Sequence, residues 1–192
     1  GIEVKMAGDH SLNKRSMKSL IIIMKKFGTN FLPKNKFNFP LKLISSEIPV
    51  GINYKAGVSA QLKSAVILAG LNSFGNTKII ETLRSRNHTE NMLKNNPQVI
   101  SIKEQKKKVI RIFGKKYLNP INVEVPGDPS SAAFFSALTL LQKNSLLKIK
   151  NVGLNKTRTG FYQILKKQGA KINFKNLKKN NNELRGDIII KS

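Results

Sequence analysis

The stretch SAQLKSAVILAGLNSFGNTKIIETLRSRNHTENML, residues 59–93, joins a strongly apolar helical pattern to a polar beginning. Its first three residues, Ser59, Ala60 and Gln61, offer a hydroxyl, a small side chain and an amide where the helix is predicted to begin. A strand pattern follows at residues 77–81, and a second, short helix comes after it. This segment predicts a helix–strand–helix arrangement whose first helix opens on groups that can contact a polar ligand.

The beginning of this helix is suited to an anion. The first backbone N–H groups of a helix have no partner within it, and the helix dipole places partial positive charge there. A phosphate or carboxylate is stabilised at such an end. Ser59 can add a hydroxyl, and Gln61 can both donate and accept, which suits a sugar-like polyol. An ordinary helix cap by Ser59 is the alternative, and both interpretations stay open from these residues alone.

A weak internal repeat runs through the chain. Arg15, Arg86 and Arg158 each stand near the beginning of a helix that leads into a strand, at intervals of 86 − 15 = 71 and 158 − 86 = 72 residues. Ser59 and Ser130 open two similar apolar helices and are 130 − 59 = 71 residues apart. The near-equal spacing predicts an α/β fold built by duplication of a βαβαββ unit.

Periodicity and turn residues predict the other elements. One helix is expected from the capping candidates Asp9 and Ser11 to Gly28, which stands where a terminating glycine belongs. Two segments rich in lysine and asparagine, 103–108 and 175–183, are predicted to be solvated hairpin loops. The remaining predicted elements are strands at 41–44, 51–54, 99–102, 109–113, 146–150, 170–174 and 187–191, and helices at 88–93, 130–141 and 158–168.

Composition narrows the class of protein. The 192 residues are 40% hydrophobic, enough for a real core, and 35 basic against 10 acidic residues give a formal charge of +25. Only six basic residues are arginine, so 35 − 6 = 29 are lysine. Lysine, asparagine and isoleucine, all abundant here, have A/T-rich codons, and genome composition is an alternative explanation of that charge. Scarce arginine and the absence of Trp weaken a nucleic-acid interpretation.

No Cys, signal peptide or membrane-length apolar run is present, so we expect a cytoplasmic protein without disulfides.

A few side chains could carry chemistry. Arg15 and Arg86 lie by helix beginnings, and a guanidinium can hold a carboxylate or phosphate with two parallel hydrogen bonds. A surface arginine without a particular partner is the alternative. His10 and His88 lack the spaced partners of a metal site or a nucleophilic triad, and His88 is predicted to support its helix. Asp128, in VPGDPSS, is predicted to lie in a turn into a helix cap and in a hinge between domains.

Four stretches together resemble the 5-enolpyruvylshikimate-3-phosphate (EPSP) synthase family, most of all its bacterial class II form. They are GDHSLNKRSM, the stretch 59–93, VPGDPSSAAFFSAL and NVGLNKTRTGFYQILKKQGAKI, and they occur in the family's order. The resemblance implies an inside-out α/β barrel fold of two domains, each made of three βαβαββ units. It places a partial first domain at residues 1–125, one unit of the second domain at 126–192, and a hinge near 125–128.

The resemblance also implies a reaction without a metal or organic cofactor. The 5-hydroxyl of shikimate 3-phosphate attacks C2 of phosphoenolpyruvate while C3 is protonated, and the tetrahedral intermediate then loses phosphate. This 3-phosphoshikimate 1-carboxyvinyltransferase step belongs to the shikimate pathway of aromatic amino-acid biosynthesis. The implied contacts to shikimate 3-phosphate are Ser59, Ala60, Gln61 and Arg86, and those to phosphoenolpyruvate are Arg15 and Gln61.

The chain departs from the family pattern in several places. Ser16 replaces a proline and Asn87 replaces an aspartate, and either change could loosen the beginning of the helix that follows. The family's lysine–serine segment, its NAGT loop, its later catalytic acid and lysine and its C-terminal arginine motifs are missing. The chain also opens on Gly1 and not on Met. We therefore expect a central fragment without catalytic residues of its own, inactive alone, from a monomeric parent whose partners are the two substrates and not a membrane.

Three alternatives remain from the sequence. A UDP-N-acetylglucosamine enolpyruvyl transferase has the same fold, but SAQLKSA and GDPSS favour the shikimate enzyme. A basic RNA-binding module fits the charge, and a relative without catalytic activity fits the missing motifs.

Overall fold

The computed structural model describes all of residues 1–192. The chain divides into two compact units, which we call unit 1 (residues 1–85 and 96–119) and unit 2 (residues 86–95 and 120–192). None of the helices has the length and apolar character that crossing a membrane requires.

Unit 1 contains two sheets. Its elements are α1 (His10–Lys14), α2 (Lys18–Lys26), α3 (Ala60–Leu71), β1 (Glu3–Met6), β2 (Asn30–Leu32), β3 (Leu41–Ile44), β4 (Asn53–Ala56), β5 (Asn76–Glu81), β6 (Ile100–Glu104) and β7 (Lys108–Phe113). In the first sheet β1 and β2 both pair antiparallel with β3. In the second sheet β4 pairs parallel with β5, and β7 pairs antiparallel with both β5 and β6.

Unit 2 contains one antiparallel sheet, in which β10 lies between β8 and β9. Gly127 adds a parallel bridge to Val152 at the edge of this sheet. The elements are α4 (His88–Leu93), α5 (Pro129–Leu141), α6 (Gly160–Lys167), β8 (Leu146–Gly153), β9 (Lys171–Asn180) and β10 (Glu183–Lys191).

The three sheets repeat one topology. In each sheet, one strand is followed along the chain by a helical segment and then by two further strands, and the last of these strands lies between the other two. The spatial orders are β1-β3-β2, β5-β7-β6 and β8-β10-β9. A parallel neighbour precedes the first strand in two of them, as β4 beside β5 and as the Gly127 bridge beside β8. The predicted α/β class and the duplicated βαβαββ unit are therefore confirmed.

Each unit buries an apolar core. In unit 1, α3 packs against β5 and β7, and Gly70 permits the close approach because a Cβ there would lie 2.9 Å from Thr77 Oγ1. In unit 2, the fully buried Tyr162 of α6 packs with apolar side chains from all three strands. Its hydroxyl donates to the Pro129 carbonyl at 2.9 Å, which ties α6 to the beginning of α5.

The single helix predicted for residues 9–28 is wrong. Arg15 has extended backbone angles (φ −78°, ψ 136°) and separates α1 from α2. The Met17 N–H donates to the Phe37 carbonyl at 2.6 Å instead of to a carbonyl of α1. A tertiary hydrogen bond thus overrides the continuous apolar periodicity. The predicted ends are correct, since Asp9 caps α1 and Gly28 (φ 88°) follows α2.

The loop predicted for residues 175–183 is also wrong in extent. β9 and β10 continue to a tight turn at Asn181 and Asn182, with φ of 47° and 62°. Asparagine tolerates such positive φ values, which suit the short turns that join twisted strands. The strand pattern was hidden because most residues between 175 and 180 are exposed on this hairpin.

Other boundaries shift slightly. The helix predicted from residue 158 begins at Gly160, because the Arg158 N–H closes a turn on the Asn155 carbonyl at 2.8 Å. The chain enters unit 2 after residue 85 and again after residue 119, so residues 125–128 belong to unit 2, and the hinge predicted there stays a prediction. The assignment of residues 126–192 to a separate domain of a larger fold stays a prediction.

Candidate functional site

The first turn of α3 holds three of the predicted contact residues. Ser59 is the N-cap, and its Oγ accepts from the Leu62 N–H at 3.3 Å. Ala60 and Gln61 occupy the first turn, where N–H groups have no carbonyl partner within the helix. The Gln61 side chain is exposed, and Ser59 and Ala60 are half-buried. The predicted helix start and the cap are confirmed, while the ligand contacts stay a prediction.

A buried charged cluster lies beneath this turn. The Lys63 ammonium, with 0% of the residue exposed, donates to Glu81 Oε1 at 2.8 Å, and Glu81 at the end of β5 is only 2% exposed. The Lys108 Nζ lies 3.4 Å from Glu81 Oε2. Ser85 donates to Glu81 Oε1 twice, from its N–H at 2.9 Å and from its hydroxyl at 2.7 Å. We call Lys63, Glu81, Ser85 and Lys108 the Glu81 cluster.

The Glu81 carboxyl is held ionised. Burial alone raises the pKa of this group, but the hydrogen bonds from Lys63 and Ser85 outweigh burial and lower the pKa to about 2. Glu81 therefore carries a full negative charge at neutral pH, which attracts the ammonium groups of both Lys63 and Lys108.

Sequence reasoning missed this cluster, although a signal was present. Lys63 is the one charged residue in the apolar run SAQLKSAVILAG. A charge in a helix that is apolar nearly all round must be buried with a partner or reach solvent. Glu81, the only acidic residue in the following strand, was one of two acidic residues available as a partner within the segment, with Glu90.

Arg15 lies at the end of α1 in unit 1, and its side chain is exposed. The neighbouring Ser16 accepts from the Lys18 N–H at 3.3 Å through its Oγ, so the serine that replaces a proline helps to cap α2. A surface cavity of about 490 Å³ beside it is lined by cationic and amide side chains that include Lys14, Lys34 and Lys36. Arg15 thus stands in a strongly positive neighbourhood.

Arg86 belongs to unit 2 and is exposed. It precedes Asn87, the N-cap residue of α4, whose side chain makes no capping bond but accepts from Asn155 Nδ2 at 2.8 Å. His88 Nδ1 lies 2.9 Å from Glu183 Oε1, so this histidine supports its helix as predicted. Burial raises the pKa of Glu183, but hydrogen bonds from His88, Asn155 and Asn91 leave it below its usual value.

The structure places three of the predicted contact residues on one helical turn. Ser59, Ala60 and Gln61 share one helical turn in unit 1, and Arg15 is also in unit 1. Arg86 follows directly after Ser85, the residue at which the chain leaves unit 1. A single ligand shared by all of them stays a prediction.

Asp128 is the N-cap of α5. Its Oδ2 accepts from the Ser131 N–H at 3.0 Å, and its Oδ1 pairs with the Arg158 guanidinium, which also donates to Ser130 Oγ at 2.8 Å. These interactions, the Ser131 N–H above all, hold the pKa of Asp128 below its usual value. The predicted turn into a cap is confirmed, whereas the hinge role stays a prediction.

Unit 2 also contains a mainly apolar cavity of about 350 Å³, lined by residues of 123–129, α4 and β10 and by the loops beside them. None of the predicted substrate contacts lines it. No group of three or more His, Cys, Asp or Glu side chains in the chain is placed to hold a metal ion.

The chain is similar to a family model and to curated proteins that all carry the same enzyme name. The model of the family described as EPSP synthase (3-phosphoshikimate 1-carboxyvinyltransferase) matches residues 1–188. The chain is 43% identical over 190 residues to the 3-phosphoshikimate 1-carboxyvinyltransferase of Petrotoga mobilis, covering 97% of this chain and 43% of that protein. With the enzyme of the same name from Bacillus subtilis it shares 40% identity over 189 residues, again 97% of this chain and 43% of the relative.

Solved structures give the same picture. An EPSP synthase from Acinetobacter baumannii superposes with a TM-score of 0.82 at 34% identity, over 98% of this chain and 42% of that one. The enolpyruvyl transferase NikO from Streptomyces tendae matches with a TM-score of 0.67 at 13% identity, over 96% of this chain and 43% of that one, which bears on the fold alone. The chain spans less than half the length of these relatives.

Proposed function

This chain belongs to the EPSP synthase family, and we propose that it forms the part of a 3-phosphoshikimate 1-carboxyvinyltransferase that holds shikimate 3-phosphate and one side of phosphoenolpyruvate. The complete enzyme transfers the enolpyruvyl group of phosphoenolpyruvate to the 5-hydroxyl of shikimate 3-phosphate. The observation that carries the proposal is the polar first turn of α3, presented on a helix that the family match covers completely.

The first turn of α3 supplies the hydrogen bonds that the phosphorylated substrate needs. The Ser59 Oγ already accepts from Leu62, so its hydroxyl hydrogen is left to donate to a phosphate oxygen. The N–H groups of Ala60 and Gln61 add two further donors at the positive end of the helix dipole. The Gln61 amide can bind a ring hydroxyl and the second substrate at the same time.

Two arginines are proposed to bind the anionic groups of the substrates. Both substrates carry a phosphate and a carboxylate, and guanidinium groups bind such anions in a defined geometry. We assign Arg86 to shikimate 3-phosphate and Arg15 to phosphoenolpyruvate. The chain's formal charge of +25 adds a long-range attraction for both anions.

Glu81 is not a source of protons for the reaction. With a pKa of about 2, Glu81 is ionised at neutral pH and cannot act as a general acid there. Its carboxylate is also buried and engaged with Lys63, Lys108 and Ser85. This part of the enzyme therefore binds and orients, and we propose that it does not turn over by itself.

The proposal is tested by titrating shikimate 3-phosphate into the ¹⁵N-labelled chain, after circular dichroism has shown that the chain is folded. We expect saturable shifts of the amide signals of Ser59, Ala60, Gln61 and Arg86. Gln61→Ala and Arg86→Ala are each expected to weaken binding about tenfold, the effect of one good polar contact.

Two controls sharpen the titration. Arg84→Ala removes a guanidinium that pairs with the exposed Glu104 at 3.3 Å, and it is expected to leave binding unchanged. An RNA oligonucleotide tests the RNA-binding alternative, since its affinity must fall steeply with salt. A folded chain whose α3 amides do not shift at millimolar shikimate 3-phosphate contradicts the proposed function.

A further inference from the structure

The carboxylate of Glu81 joins two segments that the proposed function uses. On one side it accepts from Lys63, which lies in the first turns of α3 and whose own N–H donates to the Ser59 carbonyl at 3.2 Å. On the other side it accepts from both the N–H and the hydroxyl of Ser85. Glu81 thus links the cap of α3 to the residue that directly precedes Arg86.

Ser85 is held mainly by these bonds. The three residues between Glu81 and Ser85 are exposed, with Leu83 at 61%. Arg84 makes only a solvent-exposed ion pair. Residues 82–86 make no hydrogen bonds between backbone groups. The ordering of this loop therefore depends on two hydrogen bonds to one charged, buried oxygen.

A hydrogen bond to a charged acceptor is stronger than a neutral one, and burial keeps solvent from competing. Because Arg86 follows Ser85, its Cα lies about 3.8 Å from that of Ser85. Fixing Ser85 consequently restricts the volume that the Arg86 guanidinium can occupy before a ligand arrives. Such preorganisation raises affinity without any contact between the restricting group and the ligand.

We propose that Glu81 is a positioning residue of the shikimate 3-phosphate site, which orders Arg86 through Ser85 and holds the loop in register with the first turn of α3. The inference rests on the proposed function, because it assumes that Arg86 binds the substrate phosphate. It goes beyond that function by assigning a role to a buried carboxylate that touches no substrate.

A double-mutant cycle between Ser85 and Arg86 tests the inference, with the dissociation constant of shikimate 3-phosphate as the readout. Ser85→Ala removes one of the two bonds to Glu81 and keeps the backbone bond, so the fold is retained. We expect it to weaken binding roughly fivefold in the otherwise unchanged chain. In the Arg86→Ala background the same change is expected to have less than about a twofold effect, because the ordered group is already absent.

Three variants and one ligand-free measurement complete the design. Ser85→Thr keeps the hydroxyl and is expected to restore binding to within about twofold. Glu104→Gln removes an exposed carboxylate that faces the same loop, and it should leave binding unchanged. Hydrogen exchange of the Ser85 amide should accelerate in a Glu81→Gln variant.

The outcomes separate the two proposals. If the unchanged chain binds shikimate 3-phosphate but Ser85→Ala weakens binding equally in both Arg86 backgrounds, the positioning role is overturned and the proposed function stands. If the folded chain does not bind the substrate at all, the proposed function fails and the inference falls with it. Coupling between Ser85 and Arg86, with rescue by Ser85→Thr, supports the inference.

Discussion

The helices α3 and α5 occupy corresponding places in the repeated topology, yet they bury opposite chemistry near their first turns. The fourth residue after the N-cap is the fully buried Lys63 in α3 and the 4% exposed Ala132 in α5. In the strands, Glu81 of β5 corresponds to Val152 of β8, which is 1% exposed, because each pairs in parallel with the segment that precedes its helix, Glu81 with Ala56 and Val152 with Gly127. One copy therefore buries an ion pair where the other buries two apolar side chains.

The buried charges of unit 1 are not needed to fold the repeated motif. An ordinary apolar core, as in unit 2, is sufficient to fold the motif, and a buried ion pair is often no more stabilising than the apolar side chains that could replace it. Unit 1 nevertheless keeps the Glu81 cluster, beneath the turn that carries Ser59 and Gln61. We infer that the charged version of the motif serves ligand binding, and that the apolar version serves packing.

The largest expected effect comes from removing the buried carboxylate. Glu81→Leu removes the carboxylate that Lys63 Nζ and Lys108 Nζ contact, and breaking a buried ion pair in this way costs about 3–5 kcal/mol of the free energy of unfolding. Val152→Ala at the corresponding position should cost only about 2 kcal/mol. Urea unfolding followed by circular dichroism measures both, and equal losses would contradict the distinction between the two copies.

Making unit 1 resemble unit 2 should recover much of that loss. In the double variant Lys63→Met/Glu81→Leu, the ion pair between these two residues is replaced by apolar side chains of similar size, and Lys108 is retained. We expect more than half of the stability lost in Glu81→Leu to return, while affinity for shikimate 3-phosphate stays low. A double variant as unstable as Glu81→Leu would show that the ion pair itself stabilises the core of unit 1.

Local sequence patterns predict the repeated unit but not the contacts between segments that are distant in the chain. The 71-residue spacing predicted the repeated unit correctly because each copy keeps the same order of helices and strands. Local patterns could not reveal the break at Arg15, which depends on a hydrogen bond from Met17 to the distant Phe37. For the same reason the pairing of Lys63 with Glu81 escaped prediction, since the two residues meet only when α3 packs on β5. The resemblance named the predicted contact residues, and packing shows what holds these residues in place.

Acid should weaken unit 1 through Glu81. The pKa of this carboxyl is about 2 in the folded chain, below its usual value of 4.5, so the ionised form is the one that folding favours. Its stabilising contribution is complete above pH 4.5 and is lost as the pH falls towards 2. Carboxyl NMR titration should give a midpoint near pH 2, and Glu81→Gln should flatten part of the acid loss of stability. A midpoint near 4.5 would contradict the ionic assignment.

The smallest effect on stability is expected at the outer face of α5. This helix exposes large apolar side chains, Phe134, Phe135, Leu138 and Leu141, at 57–81%, whereas α3 exposes only Leu68 to a comparable extent, at 55%. Such faces favour association. Leu138→Gln should change the free energy of unfolding by less than about 0.5 kcal/mol and reduce self-association in sedimentation velocity. Leu68→Gln is the matched change in α3, and an equal reduction there would remove the contrast.

The most direct test of the central claim is a crystal structure of the chain with shikimate 3-phosphate bound. The account predicts that the substrate lies at the first turn of α3, with its phosphate or hydroxyl oxygens within about 3.2 Å of donors from Ser59, Ala60 or Gln61, and with the Arg86 guanidinium on the phosphate. A substrate bound elsewhere, or an Arg86 side chain turned away from the ligand, would contradict it.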